Sequence, residues 1–473
     1  MSFISDSSIK EVMSRTDVVQ VVGEYVGLKR AGVRFKGLCP FHNEKTPSFT
    51  VNQEQGFFHC FGCGEHGDSI GFLQKHNGVT FVEAVEHLAS LAGVELKYEG
   101  GQSNAPRKSP EQRDTEKRQR QAQMDLTHWA SRFFQEQLKR APRNSPVWKY
   151  IEERGLQQQV LTDFGVGLAP DDWAALAVGL QKEGRDSRAA ETLGLIVPRK
   201  SGQGHYDRFR NRLMFPVFDI AEKPIAFGGR ILPGDGEKET AKYINSPDSP
   251  IYTKGNILFG LAQAKKTIRK EGYAIIVEGN IDVLMLHQEG FQTTVAPMGT
   301  ALTPEQVRLL RRFTEEVVLL YDGDKAGRAA ALKSLPMLLE ADIHGKIIVL
   351  DEQDDPDTFV RTHGAEALAS LIKNARPVME FLIEEIVARH GMSDRGRAKA
   401  LAELQPYIQG IRDFRERQLV TARVAATLDL PERRVVGMLR SRSVSEVTPA
   451  QEHEYQRPVL LEMPTREEKL TVV

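Results

Sequence analysis

At 473 residues the chain is longer than a single hydrophobic core usually organises, so two to four domains are expected. Its 40% hydrophobic and 27% charged residues describe a soluble globular protein. No apolar run approaches the ~18 residues of a membrane span. The opening MSFISDSSIK lacks the basic and apolar regions of a secretory signal, so a cytoplasmic protein with no membrane partner is expected. A formal net charge of −1 gives no global attraction to nucleic acid, and any such binding must rest on local basic patches.

The first hundred residues read as a compact module. Ile9 to Val26 has helical periodicity, with Asp6 or Ser7 as its N-cap. A Gly- and aromatic-rich stretch follows, then helical patterns near Ser69–Lys75 and Thr80–Ala92, the second opening with a Thr80…Glu83 capping box. From Tyr98 the sequence loses its apolar residues, and 98–118 reads as a flexible linker grading into a polar helix. Arg107 to Arg120 holds six basic residues against three acidic ones, which a solvated linker explains more simply than a nucleic-acid contact does. Residues 119–268 are a mixed α/β segment with β-rich runs such as RLMFPVFDI and KPIAFGGRIL. Over 269–360, the strand-like AIIVEG, EVVLLYDGD and KIIVLDE alternate with the helical AGRAAALKSLPMLLEA, the signature of a parallel α/β sheet. Residues 361–440 are helical in pattern, 441–473 read as a disordered tail, and no internal repeat is evident.

Only three cysteines occur, Cys39, Cys60 and Cys63, an odd and clustered count that indicates a metal site rather than disulfides. Cys39-Pro-Phe-His42 and Cys60-Phe-Gly-Cys63 each hold two residues between potential ligands, a spacing that lets a tight turn aim both at one ion. Three thiolates and an imidazole suit tetrahedral zinc, and four protein ligands leave no open position, so a single structural Zn2+ is expected. His59 and His66 are rival ligands, with His42 favoured by its spacing. Arg34, Lys36 and Lys45 with Phe49, Phe57, Phe58 and Phe61 could serve a single-strand surface, or the rings could be the module's core.

The carboxylates form a second constellation. Glu278 closes AIIVEG, with Asp282 just beyond; Asp322 and Asp324 close VVLLYDGD; Asp355 and Asp357 follow KIIVLDEQ. Residues two apart in an extended segment face the same way, and open α/β sheets place their sites at strand C-terminal ends. Clustered carboxylates are hard oxygen ligands suited to Mg2+ or Mn2+, and two such ions can drive an in-line phosphoryl transfer.

CPFHNEKTPSFTV and HCFGCGEHGDSIGFL resemble the zinc-binding domain of DnaG-type bacterial DNA primases. VEGNIDVL and YDGDKAGRAA resemble toprim motifs, and the blocks YIEERGL, FGVGLAP, RFRNRLMFPV, FGGRIL and KYINSPDSPIYTKGNILFGL resemble the primase-specific part of the polymerase core. The resemblance runs from about residue 3 to about residue 440. It implies a multidomain α+β protein: a zinc ribbon (1–97), a mixed α/β subdomain, a toprim subdomain and a helical subdomain. The implied activity is synthesis of short RNA primers on single-stranded DNA from ribonucleoside triphosphates. Zinc would be held by Cys39, His42, Cys60 and Cys63. Two or more magnesium or manganese ions would be held by Glu278, Asp322 and Asp324, with Asp282, Asp355 and Asp357 in support. Arg208, Arg210, Arg212, Arg230, Lys242 and Lys254 would line the template and nucleotide groove.

Two departures stand out. Asn280 and Ile281 replace an aromatic and a methionine usual in the first toprim motif. The family's helicase-binding domain is not seen after residue 440, so a replicative helicase is a possible partner that lacks its usual docking domain. A toprim nuclease or topoisomerase and a non-catalytic single-strand binder are the competing classes. A fused helicase is excluded by the absence of any GxxxxGK[ST] phosphate loop.

Overall fold

A computed structural model describes residues 3–440 except 43, 78, 100–109, 200, 201, 203, 234–240 and 352, so the expected tail and part of the linker lie outside the described residues. No described helix is long and apolar enough to cross a membrane. The chain folds as two compact units, one holding residues up to 382 together with 410–412, the other residues 383–409 and 413 onward.

Among the described residues of the first unit, one hydrophobic core lies within the zinc ribbon and another runs through the polymerase core. In the zinc ribbon, five antiparallel strands (Lys29–Ala31, Arg34–Gly37, Phe49–Asn52, Phe57–Cys60 and His66–Gly67) pair in chain order. Of the four phenylalanines, Phe49 and Phe58 are fully buried there as core, beside Phe72, while Phe57 and Phe61 are 37% and 66% exposed. The expected single helix over Ile9–Val26 is two helices, Asp6–Arg15 and Val18–Gly23. The break has a cause: the Asp17 carboxylate accepts the Val19 N–H and starts a new helix. The first N-cap is Ser5, not Asp6 or Ser7. Thr80 forms the expected capping box with Glu83.

A helix runs over Pro110–Arg140, so residues 110–118 belong to it rather than to the linker. Proline is pre-organised for a first helical position, and the Gln, Glu, Lys and Arg that make the segment look linker-like are also good helix formers. This helix packs on a four-stranded antiparallel sheet ordered Tyr243–Asn245, Pro224–Ile231, Arg212–Phe218 and Gly167–Ala169.

The toprim sheet is ordered Thr294–Val295, Tyr273–Ile276, Glu316–Tyr321, His344–Val349 and Arg376–Pro377; the first four strands are parallel and the last is antiparallel. Ala274, Ile275, Ile276, Val317, Leu319 and Leu320 are fully buried, as the unbroken apolar runs of a sheet covered on both faces require. The second unit is helical, with Asp394–Gly410 (whose last residue falls in the first unit), Phe414–Thr427 and Glu432–Arg440.

Candidate active site and metal centres

The zinc ligands come from two turns that antiparallel pairing sets side by side. Gly37 and Cys60 both pair with Phe49, so the loop after Gly37 and the turn after Cys60 meet at one end of the sheet. Ligand atoms of Cys39, His42, Cys60 and Cys63 all lie within 4.8 Å of one another. The Cys39 and Cys63 sulfurs are 3.8 Å apart, and Cys60 Sγ is 3.7 Å from His42 Nδ1. Thiolates ~2.3 Å from a tetrahedral zinc would stand ~3.8 Å apart, so the donor set fits the ion in type and spacing. His59 and His66 stand outside the cluster: His59 packs on Phe61 at 4.5 Å, and His66 Nδ1 is 3.1 Å from the Gly64 carbonyl oxygen. Backbone N–H groups of Phe41 and Gly62 donate to Cys39 and Cys60 sulfurs at 3.4 Å. A Cβ on Gly62 would stand 2.6 Å from His42 Nε2, so only glycine lets the turn close over the ligand imidazole.

Glu44, which sequence reasoning passed over, ties this site together. It accepts the Cys39 N–H at 2.8 Å and the Ser48 N–H at 3.0 Å, and it lies 3.3 Å from His42 Nε2. A carboxylate behind a ligand histidine fixes its tautomer and raises its basicity. The only hint in the sequence was a glutamate two residues beyond a candidate ligand.

The carboxylates gather at the C-terminal ends of three neighbouring parallel strands. Glu278 follows Tyr273–Ile276, Asp322 and Asp324 follow Glu316–Tyr321, and Asp355 and Asp357 lie at the start of helix Pro356–Lys373, beyond His344–Val349. Helix starts hold several of them. Asp324 caps helix Lys325–Glu340 through the Gly327 N–H (2.8 Å), Asp355 caps Pro356–Lys373 through the Thr358 N–H (2.6 Å), and Asp282 accepts the Gly279 N–H (3.1 Å). A Cβ on Gly323 would stand 2.0 Å from the Asp351 carbonyl oxygen, so the Asp322-Gly323-Asp324 turn needs its glycine to lie against the neighbouring loop.

The group's electrostatics favour a cation. Burial raises the Glu278 carboxyl, with Asp322 and Asp324 adding to the rise. Burial likewise raises Asp322, reinforced by Asp355 and Asp324 and opposed by Lys242. Asp282 is pushed well above the usual carboxylate range by burial, then by Asp355, Asp322 and Asp357. Like charges that resist each other's ionisation are relieved by divalent ions. Among the described residues, no three of these carboxylates approach as closely as the zinc ligands do. That looser array suits magnesium, which keeps waters and takes substrate phosphates as ligands.

Asp357 differs from the rest. It is 1% exposed, and its Oδ2 accepts a 2.6 Å hydrogen bond from Arg154. Its Oδ1 has no hydrogen-bond partner.

The six expected groove cations have unequal surroundings. Arg208 and Arg210 line a cleft of about 800 Å³ beside Trp173, which is 62% exposed and carries the Arg210 guanidinium 4.1 Å from its ring centre. Arg212 also borders this cleft but is 5% exposed and donates to the carbonyls of Gly229 and Ala241 at 3.1 and 2.9 Å. Its guanidinium is pushed down to about 10 by burial, then by Arg210 and Arg230. Arg230 is buried, donates to the Ile231 carbonyl and lies over the rings of Tyr243 and Tyr150. Lys242 is exposed and acts electrostatically on Asp322. Lys254, in a short 3-10 turn, is half-buried. The structure thus brings Lys242 to the carboxylates and places the Arg208–Arg212 group along a different cleft.

Comparison with known proteins decides the family. The profile described as CHC2 zinc finger matches residues 4–104, the DNA primase catalytic core N-terminal domain matches 133–265, and the Toprim domain matches 272–349. The DNA primase of Pasteurella multocida is 38% identical over 408 residues, covering 85% of this chain and 68% of that protein. That of Escherichia coli K12 is 37% identical over 407 residues, with the same coverage. The chain belongs to the DnaG-type DNA primases. The zinc-binding and RNA polymerase domains of the Aquifex aeolicus primase superpose with a TM-score of 0.59 at 33% identity, over 92% of this chain and 100% of that one. A DnaG primase catalytic domain bound to ssDNA gives 0.61 at 32% identity, over 67% and 99%. The primase is therefore a DNA-directed RNA polymerase that makes short RNA primers. Its zinc ribbon and Cys/His group support a structural zinc, and its toprim domain a divalent cation.

One expectation is overturned. The profile of the DnaB-helicase binding domain of primase matches residues 379–433, so the helicase-binding domain is not missing from this primase. The sequence pattern over 361–440 reads as one helical subdomain of the polymerase core. The structure instead keeps Pro356–Lys373 with the toprim sheet and gathers 383–409 and 413 onward into a separate unit. Helical periodicity alone carries no mark of which neighbour a helix packs on.

Proposed function

We propose that primer synthesis here is a two-metal nucleotidyl transfer on single-stranded DNA, with Glu278, Asp322 and Asp324 as the ligands of magnesium. The observation that carries this reading is the convergence of carboxylates on adjacent strand ends, where burial and mutual repulsion oppose ionisation of Glu278, Asp322 and Asp282. Bound divalent cations would activate the attacking 3′-hydroxyl and neutralise the leaving pyrophosphate. The chain's own residues set the geometry. Asp324 and Asp355 are each fixed through one oxygen by a helix N-terminus, and the second oxygen of each would face a cation. Asp282, Asp355 and Asp357 would supply the surrounding negative field, and Lys242 would meet triphosphate oxygens beside Asp322. Hard carboxylate oxygens favour magnesium, with manganese as a substitute.

Arg208 and Arg210, with the exposed Trp173, offer cations and a ring to the template strand, whereas Arg212 is turned inward onto carbonyls and Arg230 lies over Tyr150 and Tyr243. Cys39, His42, Cys60 and Cys63 would hold one structural zinc in the 1–97 module. The helical region matched at 379–433 would bind the replicative helicase, placing the enzyme at the bacterial replication fork in the cytoplasm.

The test is de novo RNA synthesis on circular single-stranded DNA with ribonucleoside triphosphates and magnesium, run beside Asp322→Ala. Short RNAs from the wild type and none from the variant support the reading. Template nicking, or equal synthesis by both proteins, would sink it.

A further inference from the structure

The two strands that carry Glu278 and Asp322 also have N-terminal ends, and a second charged region lies there. Helix Leu261–Glu271 ends just before strand Tyr273–Ile276, and Arg312 lies just before Glu316–Tyr321. A six-residue strand separates that edge from the carboxylates by ~20 Å. Here the zinc ribbon meets the core: Glu83 pairs with Arg312 at 2.8 Å, and Arg269 donates to the His76 carbonyl at 2.7 Å. Between the two lies a cleft of about 1000 Å³.

Positive charge in this cleft exceeds its neutralisation. Lys75 pairs with Glu65 and Arg312 with Glu83, yet among the described residues no carboxylate pairs with Lys266, Arg269 or Lys270. The Arg269 guanidinium, which also lies 4.8 Å over the Phe313 ring, is pushed down to about 10 by burial and then by Arg312. Lys266, Arg269 and Lys270 are related as i, i+3 and i+4, one helix face with side chains rooted ~5–6 Å apart. That spacing suits successive phosphates of an extended strand. Facing them, Tyr25 is 37% exposed, with its ring centre 4.7 Å from that of His76. A row of cations opposite rings is how proteins hold single strands without reading sequence.

We propose that this cleft is a second single-strand site, in which Lys266, Arg269 and Lys270 hold the phosphodiester backbone while Tyr25 packs against a base. A strand held there touches the zinc ribbon and the polymerase core together, so its binding fixes one to the other. The site lies at the far end of the sheet from the chemistry and does not depend on which carboxylates bind metal.

The experiment uses the full chain carrying Asp322→Ala in magnesium-free buffer, so that failure of the catalytic assignment leaves the result untouched. Binding of a fluorescent oligothymidylate is measured across a salt series for this protein and for one that also carries Lys266→Glu and Lys270→Glu. Both lysines are exposed, and zinc content with circular dichroism checks the fold. Affinity should fall at least tenfold, and the salt slope should drop by ~1.4, about 0.7 for each lost single-strand phosphate contact. A photoreactive benzoylphenylalanine at position 25 should crosslink to the oligonucleotide, and the lysine variant should lose that crosslink. Unchanged affinity and slope, or no crosslink from position 25, overturns the proposal. So does inorganic tripolyphosphate that binds as tightly as the strand in a lysine-dependent way, which would assign the cleft to free phosphate chains.

Discussion

Arg154 places a guanidinium N–H 2.6 Å from Asp357 Oδ2, joining the loop after helix Pro146–Glu153 to the helix that follows the last parallel toprim strand. Asp357 is 1% exposed and Arg154 32%, so the anion has little water to fall back on. Arg361 stands 3.8 Å from the other carboxylate oxygen, too far for a hydrogen bond. Arg154→Ala would strand a buried carboxylate, and a loss of about 2–3 kcal/mol is expected, below the ~3–5 kcal/mol of a fully buried pair because the arginine is partly solvated. Urea denaturation checks it, and Arg154→Lys should recover only part of the loss because it cannot reproduce the planar fork.

Asp282 should trade stability for function. Its folded carboxyl is raised well above the usual range, so the folded state holds that proton more tightly than the unfolded chain does. Ionising it at neutral pH therefore costs stability, and the cost disappears as pH falls through the raised value toward the ordinary one. Asp282→Asn keeps an acceptor for the Gly279 N–H while deleting the charge. In magnesium-free buffer the variant should melt higher than wild type at about pH 8, with the gap closing toward about pH 4. Primer synthesis by the variant should fall. A variant less stable than wild type at neutral pH would refute the electrostatic account.

Glu44→Ala removes the carboxylate behind His42 and the acceptor for two backbone N–H groups. Zinc affinity should drop about tenfold to a hundredfold, measured by competition with a coloured chelator. Among the described residues, the buried cluster of the zinc ribbon and that of the polymerase core have no member in common, so the core's own melting transition should stay in place.

Gly323→Ala should disable the enzyme without unfolding it. The added methyl would sit 2.0 Å from the Asp351 carbonyl oxygen, forcing the turn that carries Asp322 and Asp324 away from its neighbour. A displacement near 1 Å at such a site costs roughly a hundredfold in rate. Far-ultraviolet circular dichroism of the variant should match the wild type while primer yield collapses.

Much of this was legible in the residues themselves. EVVLLYDGD could be read as a buried parallel strand delivering carboxylates to its end because nine consecutive positions carry both signals. The zinc ligands were legible because their spacing is local. Glu44 and Arg154 were not, since their roles depend on which side chains face them rather than on their own neighbours in sequence. Arg212 shows the same limit from the other side: it sits in a basic run, yet packing turns its guanidinium inward onto carbonyls. The helical subdomain was legible, but its helicase-binding character was not, because amphipathic helices look alike whichever partner they cover.

The two outermost strands of the toprim sheet, Thr294–Val295 and Arg376–Pro377, are each two residues long. A strand that short offers a passing chain almost no ladder to join, and Pro377 has no N–H to donate. The central strands, rich in valine, leucine and isoleucine, are the stretch of this protein best suited to cross-β stacking. Fencing them with stub strands and a proline lets a sheet this apolar persist in crowded solution without recruiting its own copies.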